Sequence, residues 1–356
     1  YTSAFGNNFD GYTVIKDSQE YALSFGGELT DETLQKIVSN YQQMKADGME
    51  EELEKTDWQI VNSWLGTLYP ELRDTSNYKT MISYVDPDKL TGFYERRQQV
   101  LDEFLEVSGQ VGAEKEYLHQ IEGKVEKPFH YESVEGWSTI LGSMVADLGV
   151  VMALFLGIVL SSLFAGEWHD NTSTLVLTTR NGWGKIALAK ILTGLAFTVE
   201  LFALLAVSSV ISQLFFMGTA GWNMPIQNIK LIAVAPMNML QAEIYEYAFV
   251  LLGAIGFAGI VMFISAAVKN NVLTLLLSLA VVYGPMMIAE YLPYKMQKAL
   301  DLIPLVGSST DIFRTNTFRI FGKLIWSPYL LITIPVLIGI LCMPFAIKSW
   351  SRRMKA

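Results

Sequence analysis

Five apolar stretches, 139–165, 186–217, 247–268, 272–289 and 325–347, limit what this chain can fold into. A helix needs about 20 apolar residues to cross about 30 Å of hydrocarbon, and each stretch meets or nearly meets that length. Inside lipid, every backbone N–H and C=O must be satisfied within its own element, so such stretches become helices. The expected fold is an α-helical polytopic membrane protein with five spans, of which 272–289 is the shortest.

The region ahead of them obeys different physics. Residues 1–138 hold 26 acidic and 12 basic side chains, a net of −14, whereas 139–356 carries +5. An acidic, water-soluble domain over 1–138 is therefore expected, followed by a transmembrane domain over 139–356. Within the first, residues 12–15 and 21–25 flank a polar turn and read as a hairpin. Thr30 is placed to cap a helix carrying Leu34, Ile37, Val38 and Tyr41 on one face. A second helix is expected through Ile60, Val61, Trp64 and Leu65 and is closed by Pro70. A third begins at Asp86, and a fourth covers 114–125.

The chain offers little for chemistry of its own. Cys342 is alone in an apolar stretch, where it reads as a small core residue, and His119, His130 and His169 are too scattered for a metal site. Gly182-Trp-Gly-Lys185 looks superficially like a phosphate loop, but Ile186 follows where a hydroxyl is needed. No ATPase motif is present, so the chain is not expected to be an enzyme, and nothing in it points to nucleic acid.

Orientation follows from basic residues beside short connectors. Arg180, Lys185 and Lys190 flank one connector, Lys269 lies in a tight turn, and Lys348, Arg352, Arg353 and Lys355 follow the last stretch. Alternating spans put all three sites on one side, expected to be cytoplasmic along with the C-terminus. Residues 1–138, 218–246 and 290–324 then lie outside the cell membrane. Lys295, Lys298, Arg314, Arg319 and Lys323 in the last loop run against the rule, although that loop is partly amphipathic. An exported N-terminal domain implies an upstream cytoplasmic segment and one further helix. The full protein would then have six spans, with the acidic domain inserted between the first and second. Trp137, Trp168, Trp183, Trp222, Trp326 and Trp350 fall near expected span ends, as indole at an interface does, while Trp58 and Trp64 belong to the outer core.

The connector over 166–185 is a polar elbow between two spans. The residues Phe164-Ala-Gly-Glu167, the run from Thr172 to Arg180, the approach from Lys185 to Lys190 and the order of spans over 139–356 together resemble the permease subunits of type-two ABC transporters, an exporter-type family. The resemblance implies that the elbow is a coupling helix docking into a groove of a separate cytoplasmic ATPase. ATP and Mg would then be held by that partner, with no cofactor in this chain. It also implies that a second permease copy or a sibling permease completes a dimeric path for a peptide, lipid or drug-like substrate. The large acidic domain departs from the shorter outer loop of many members. The elbow residues expected to couple are Glu167, Trp168, His169, Asp170, Leu175, Leu177 and Arg180. They combine capping groups, apolar anchors and directional charges. An ordinary solvated inter-helix loop is the alternative.

Other polar and small residues inside the spans carry further expectations. Asp147 lies about 12 Å below the outer surface, and Glu200 about 20 Å above the inner one, counting ~1.5 Å per residue. Acids at such depth are costly and often line pathways, so the pair is a candidate lining for a cationic or amphipathic substrate. The alternatives are pairing with a neighbouring helix or a shared proton. Gly149, Ala153, Gly157, Ser161 and Ala165 recur every four residues, and Gly253, Gly256 and Gly259 form a second flat patch. Both read as close helix packing. Pro285, Pro328, Pro335 and Pro344 are expected to bend their spans. The 290–324 loop, with Phe313, Phe318 and Phe321, is expected to hold short helices at the interface. A reading of a different class also stands: a membrane-anchored sensor or scaffold whose extracellular domain binds a ligand or partner without transport.

Overall fold

The computed structural model describes residues 26–49, 53, 58–74, 80–132, 137–138, 140–141, 145–170, 172, 184–216, 218–268, 270–307 and 316–352. It divides into two compact units, one of Tyr1–Leu141, Ile211–Glu243 and Thr315–Trp326, the other of Gly142–Val210, Ile244–Arg314 and Ser327–Ala356. The hairpin read at 12–25 lies outside the described residues.

In the first unit, helix α1 (Asp31–Ala46) starts where Thr30 Oγ1 accepts the Thr33 N–H at 3.2 Å, and Asp31 and Glu32 in its first turn suit the positive helix end. It buries Leu34, Ile37, Val38 and Tyr41, the face its spacing predicts. Helix α2 (Trp58–Leu68) stops just ahead of Pro70. The third helix starts later than the sequence reading has it. Asp86 caps only a short 3-10 turn, Pro87–Lys89, and Gly92 at φ 72° redirects the chain before α3 (Phe93–Val107) begins. A left-handed residue cannot sit inside an α-helix, which is why one long helix from Asp86 does not form. Helix α4 (Ala113–Glu122) follows. Strand β1 (Gly27–Glu28) pairs antiparallel with β2 (His130–Tyr131), so the two ends of this region close on each other.

Two segments from far along the sequence complete this unit. Trp64 Nε1 donates to the Asn228 carbonyl at 3.0 Å, and Leu231 joins the core built on Trp64, Phe93 and Phe129. Arg97, fully buried, donates to the carbonyls of Leu231 at 2.7 Å and Ala233 at 3.2 Å and pairs with Glu122 at 2.6 Å. Strands β3 (Thr317–Ile320) and β4 (Lys323–Trp326) form a hairpin where the sequence reading has short helices. Its turn is Phe321-Gly322, both at positive φ, a geometry that matches strand twist and carries no helical signal. The hairpin is tied down by Thr317 Oγ1 to Gln110 Oε1 at 2.7 Å and by Arg319 to Glu114 at 2.7 Å.

The long apolar helices are α5 (Val145–His169), α6 (Lys185–Phe216), α7 (Met239–Ala267), α8 (Asn271–Ile288) and α10 (Ser327–Arg352), with the short α9 (Tyr294–Leu300) before the last. Among the described residues five helices are long and apolar enough to cross a membrane, and their stretches match those read from hydropathy. Helix α7 starts eight residues ahead of its apolar stretch, because hydropathy does not register a helical turn containing Glu243 and Glu246. Pro328 does not bend α10. It occupies the first turn, where its missing N–H has no partner to lose, and its carbonyl accepts the Tyr245 hydroxyl. Pro335 and Pro344 lie inside the helix.

Within the second unit the small residues mark close contacts. Gly149, Ala153, Gly157, Ser161 and Ala165 are all buried along α5. A Cβ on Gly157 would meet Leu279 at 3.2 Å and Leu275 at 3.3 Å on α8. On α7, a Cβ on Gly253 would meet Leu305 at 3.2 Å, while one on Gly256 or Gly259 would stand 2.3 Å from the carbonyl oxygen of Pro335 or Gly339 on α10. Backbone therefore lies against backbone where α7 and α10 cross.

Candidate functional site

The elbow leaves the second unit from a built base. Glu167, in the last turn of α5, meets Lys190, in the second turn of α6, with 2.6 Å between Oε1 and Nζ. Three more interactions hold the lysine. It donates to the Leu163 carbonyl, and its ammonium lies 5.3 Å from the ring of Phe164 and 5.4 Å from that of Trp350. Trp350 is fully buried and meets Phe164 at 5.5 Å and Trp168 at 6.0 Å between ring centroids. A cation held over ring faces and paired with a carboxylate loses little of its electrostatic stabilisation on leaving water. Lys190, which the sequence reading treats as an orienting charge beside the connector, and Trp350, which it places at the membrane interface, thus serve as internal fasteners between α5, α6 and α10.

A second fastener lies one turn back. The Ser265 hydroxyl of α7, fully buried, accepts the N–H groups of Phe164 at 3.0 Å and Ala165 at 3.1 Å and donates to the Ser161 carbonyl at 2.8 Å. It therefore takes a place in the backbone hydrogen bonding of α5. Such side-chain bonds between transmembrane helices contribute about 0.6–1.7 kcal/mol. Ser265→Ala should lower the thermal unfolding midpoint in detergent by a matching small amount, because α5 can restore its own ladder once the hydroxyl is gone.

At the foot of the elbow, polar capacity is left over. Glu167 Oε2 and Asn271 Oδ1 are buried and have no partner among the described residues. The Glu167 carbonyl accepts the Thr172 N–H at 3.0 Å, and the Asp170 N–H returns to the Gly166 carbonyl at 2.9 Å, so the helix end is closed by backbone rather than by the Asp170 side chain, which is exposed. The His169 side chain, and Leu175, Leu177 and Arg180 entirely, lie outside the described residues. Of the expected elbow residues, Glu167 and Trp168 are brought together on this base.

The two acids read as a path lining are not enclosed by the chain. Asp147 and Glu200 are both exposed on their helices, α5 and α6. The sequence reading misses two further acids, Glu243 and Glu246, which are buried in the first turns of α7 at 5% and 7% exposure. Their spacing of three puts them on one helix face, a signal hidden by starting the span at Tyr247. Among the described residues no group of His, Cys, Asp and Glu is arranged to hold a metal ion.

No family model matches the chain, and neither a curated protein nor a solved structure is similar to it.

Proposed function

We propose that this chain is the membrane-spanning permease subunit of an ATP-driven exporter of the type-two ABC kind. A separate cytoplasmic ATPase would act on it through the elbow, and a second copy or sibling permease would complete the path. The observation that carries the reading is the base of the elbow. A coupling segment must pass force into several spans at once, which loosely attached loops cannot do. Here the Glu167–Lys190 pair, the Trp350 ring and the Ser265 hydroxyl join the helices on both sides of the elbow to α7 and α10. The orphaned oxygens of Glu167 and Asn271 offer acceptors to a docking partner.

The composition of the first unit also supports the expected topology. Alternating spans would put residues 1–138, 218–246 and 290–324 on one side of the membrane, and the first unit draws segments from each of these regions. On this reading that side is the extracellular one. Asp147 and Glu200, exposed on the single chain, would face the shared path or the second permease.

Hydrolysis by the purified complex tests the function. The chain, co-purified with its ATPase and supplied with panels of peptides, lipids and drugs, should show ATP turnover stimulated by one class. Stimulation by none of them, with basal turnover unaltered by the permease, would favour a sensor or scaffold.

A further inference from the structure

The first unit contains a cleft of about 320 Å³ that the export reading leaves unused. Its walls come from residues 124–130 and 223–241, both inside that unit. Clefts of roughly 300–1,000 Å³ with a few convergent polar groups are the usual form of small-ligand sites.

The walls are fixed by buried bonds before any ligand arrives. Gln227 Nε2 donates to the carbonyls of Ala233 at 2.9 Å and Ala235 at 2.8 Å, and the Ile226 N–H donates to the Met237 carbonyl at 3.0 Å. Asn228 Nδ2 donates to the His130 carbonyl at 2.9 Å, which joins one wall to the other. Rigid walls lower the ordering cost of binding.

Their chemistry is that of amides. Gln227 is fully buried and lines the cleft, and its Oε1 has no hydrogen-bond partner among the described residues. An orphaned buried carbonyl oxygen requires a donor. At the rim, Asn238 and Gln241 commit their side-chain oxygens to each other's backbone N–H groups, at 2.8 Å and 3.1 Å, which leaves two NH₂ donors for a ligand. Acceptor and donors together complement the N–H and C=O groups of an extended peptide. Pro128, Pro225, Pro236 and Met237 supply apolar surface for its side chains. Lys124 and Glu126 balance each other, which argues against a phosphate ligand, and the lining has no Trp or Tyr on which a sugar ring would stack.

We propose that this cleft binds a short peptide in extended form through its backbone amides. Binding requires neither nucleotide nor an ATPase, so the proposal stands apart from the export reading. The test is affinity selection on the full chain in detergent, with a library of acetylated tetrapeptide amides as probe and mass spectrometry as readout. Some members should be enriched at least about tenfold over the mean, a preference of about 1.4 kcal/mol. Their enrichment should vanish when the same peptides are N-methylated and when Asn223→Trp fills the exposed rim. Gln227→Leu should also abolish it, but that change removes two structural bonds, so the rim variant decides if Gln227→Leu fails to fold. Equal retention of the N-methylated peptides, equal retention by Asn223→Trp, competition by maltotetraose or no enrichment at all would each overturn the proposal.

Discussion

Arg97→Ala should lower the stability of the first unit by about 3–5 kcal/mol, the range seen when one partner of a buried ion pair is removed. The guanidinium is inaccessible, lies 5.2 Å from the Phe129 ring and donates to Glu122, Leu231 and Ala233. Its loss leaves the buried Leu231 carbonyl unpaired, the Ala233 carbonyl with the Gln227 amide alone, and Glu122 with Lys127 alone, at 2.8 Å. Arg97→Lys should not rescue the protein, because an ammonium lacks the planar fork that reaches three acceptors in different directions. The measurement is thermal or urea unfolding of the full chain in detergent, and a change within ±0.5 kcal/mol would refute this account of Arg97.

The same cluster makes the first unit acid-sensitive. Burial pushes the Glu122 carboxyl upward, but hydrogen bonds and charge from Lys127 and Arg97 outweigh it, so its pKa lies below the ordinary 4.5. A carboxyl depressed in the folded state contributes stability that is present above its unfolded value. That contribution is lost as pH falls through the folded value. Stability should therefore drop below about pH 4.5 in the wild type and more weakly in Glu122→Gln.

The second large effect is expected where α7 crosses α10. Gly256→Leu or Gly259→Leu should prevent the second unit from packing, because even the first added carbon would sit 2.3 Å from a carbonyl oxygen of the opposing helix. Overpacking usually costs about 1–3 kcal/mol when side chains can shift, and backbone cannot shift locally. Gly339 meets Gly256 from the other side, with its own Cβ position 2.4 Å from the Gly256 Cα, so Gly339→Leu should behave alike. Gly284→Ala on α8 is the control, since among the described residues no atom beyond its own helix turn lies within 4 Å of the added Cβ. Expression and size-exclusion profiles in detergent should separate the three crossing variants from the control, and four equal profiles would contradict the close crossing.

How much of this was legible depends on whether the governing force leaves a local pattern. Hydrocarbon burial does, and the five apolar stretches and the α1 face carry it plainly. The start of α7 does not, because Glu243 and Glu246 satisfy helical geometry while breaking hydropathy. Arg97 left a signal that a charge-based reading passes over. It continues the four-residue spacing of Phe93, Leu101 and Leu105, so an arginine occupies the apolar stripe of α3. Its two carbonyl acceptors lie more than 130 residues away, beyond any local window. The β3–β4 hairpin was hidden by its brevity and by a Phe-Gly turn in place of Asn-Gly.

At the elbow, sequence gives the polar interruption and Glu167, but not the fastening beneath it. From sequence Lys190 is an orienting charge beside the connector, because nothing near it in sequence shows Trp350, 160 positions on, covering it. Ser265 is one hydroxyl in an apolar helix, and its three bonds depend wholly on how α7 meets α5.

The most direct test of the central proposal is capture of the tagged chain from detergent after co-expression with the ABC ATPase encoded nearest to it. The wild type should retain the ATPase at a fixed ratio. Leu175→Asp should lose it while the chain keeps its unfolding midpoint within a few degrees, and Glu167→Lys should lose it together with a lower midpoint, because it also breaks the pair with Lys190. Failure of the wild type to retain any ATPase, or undiminished retention by the folded Leu175→Asp variant, would contradict a coupling role for the elbow.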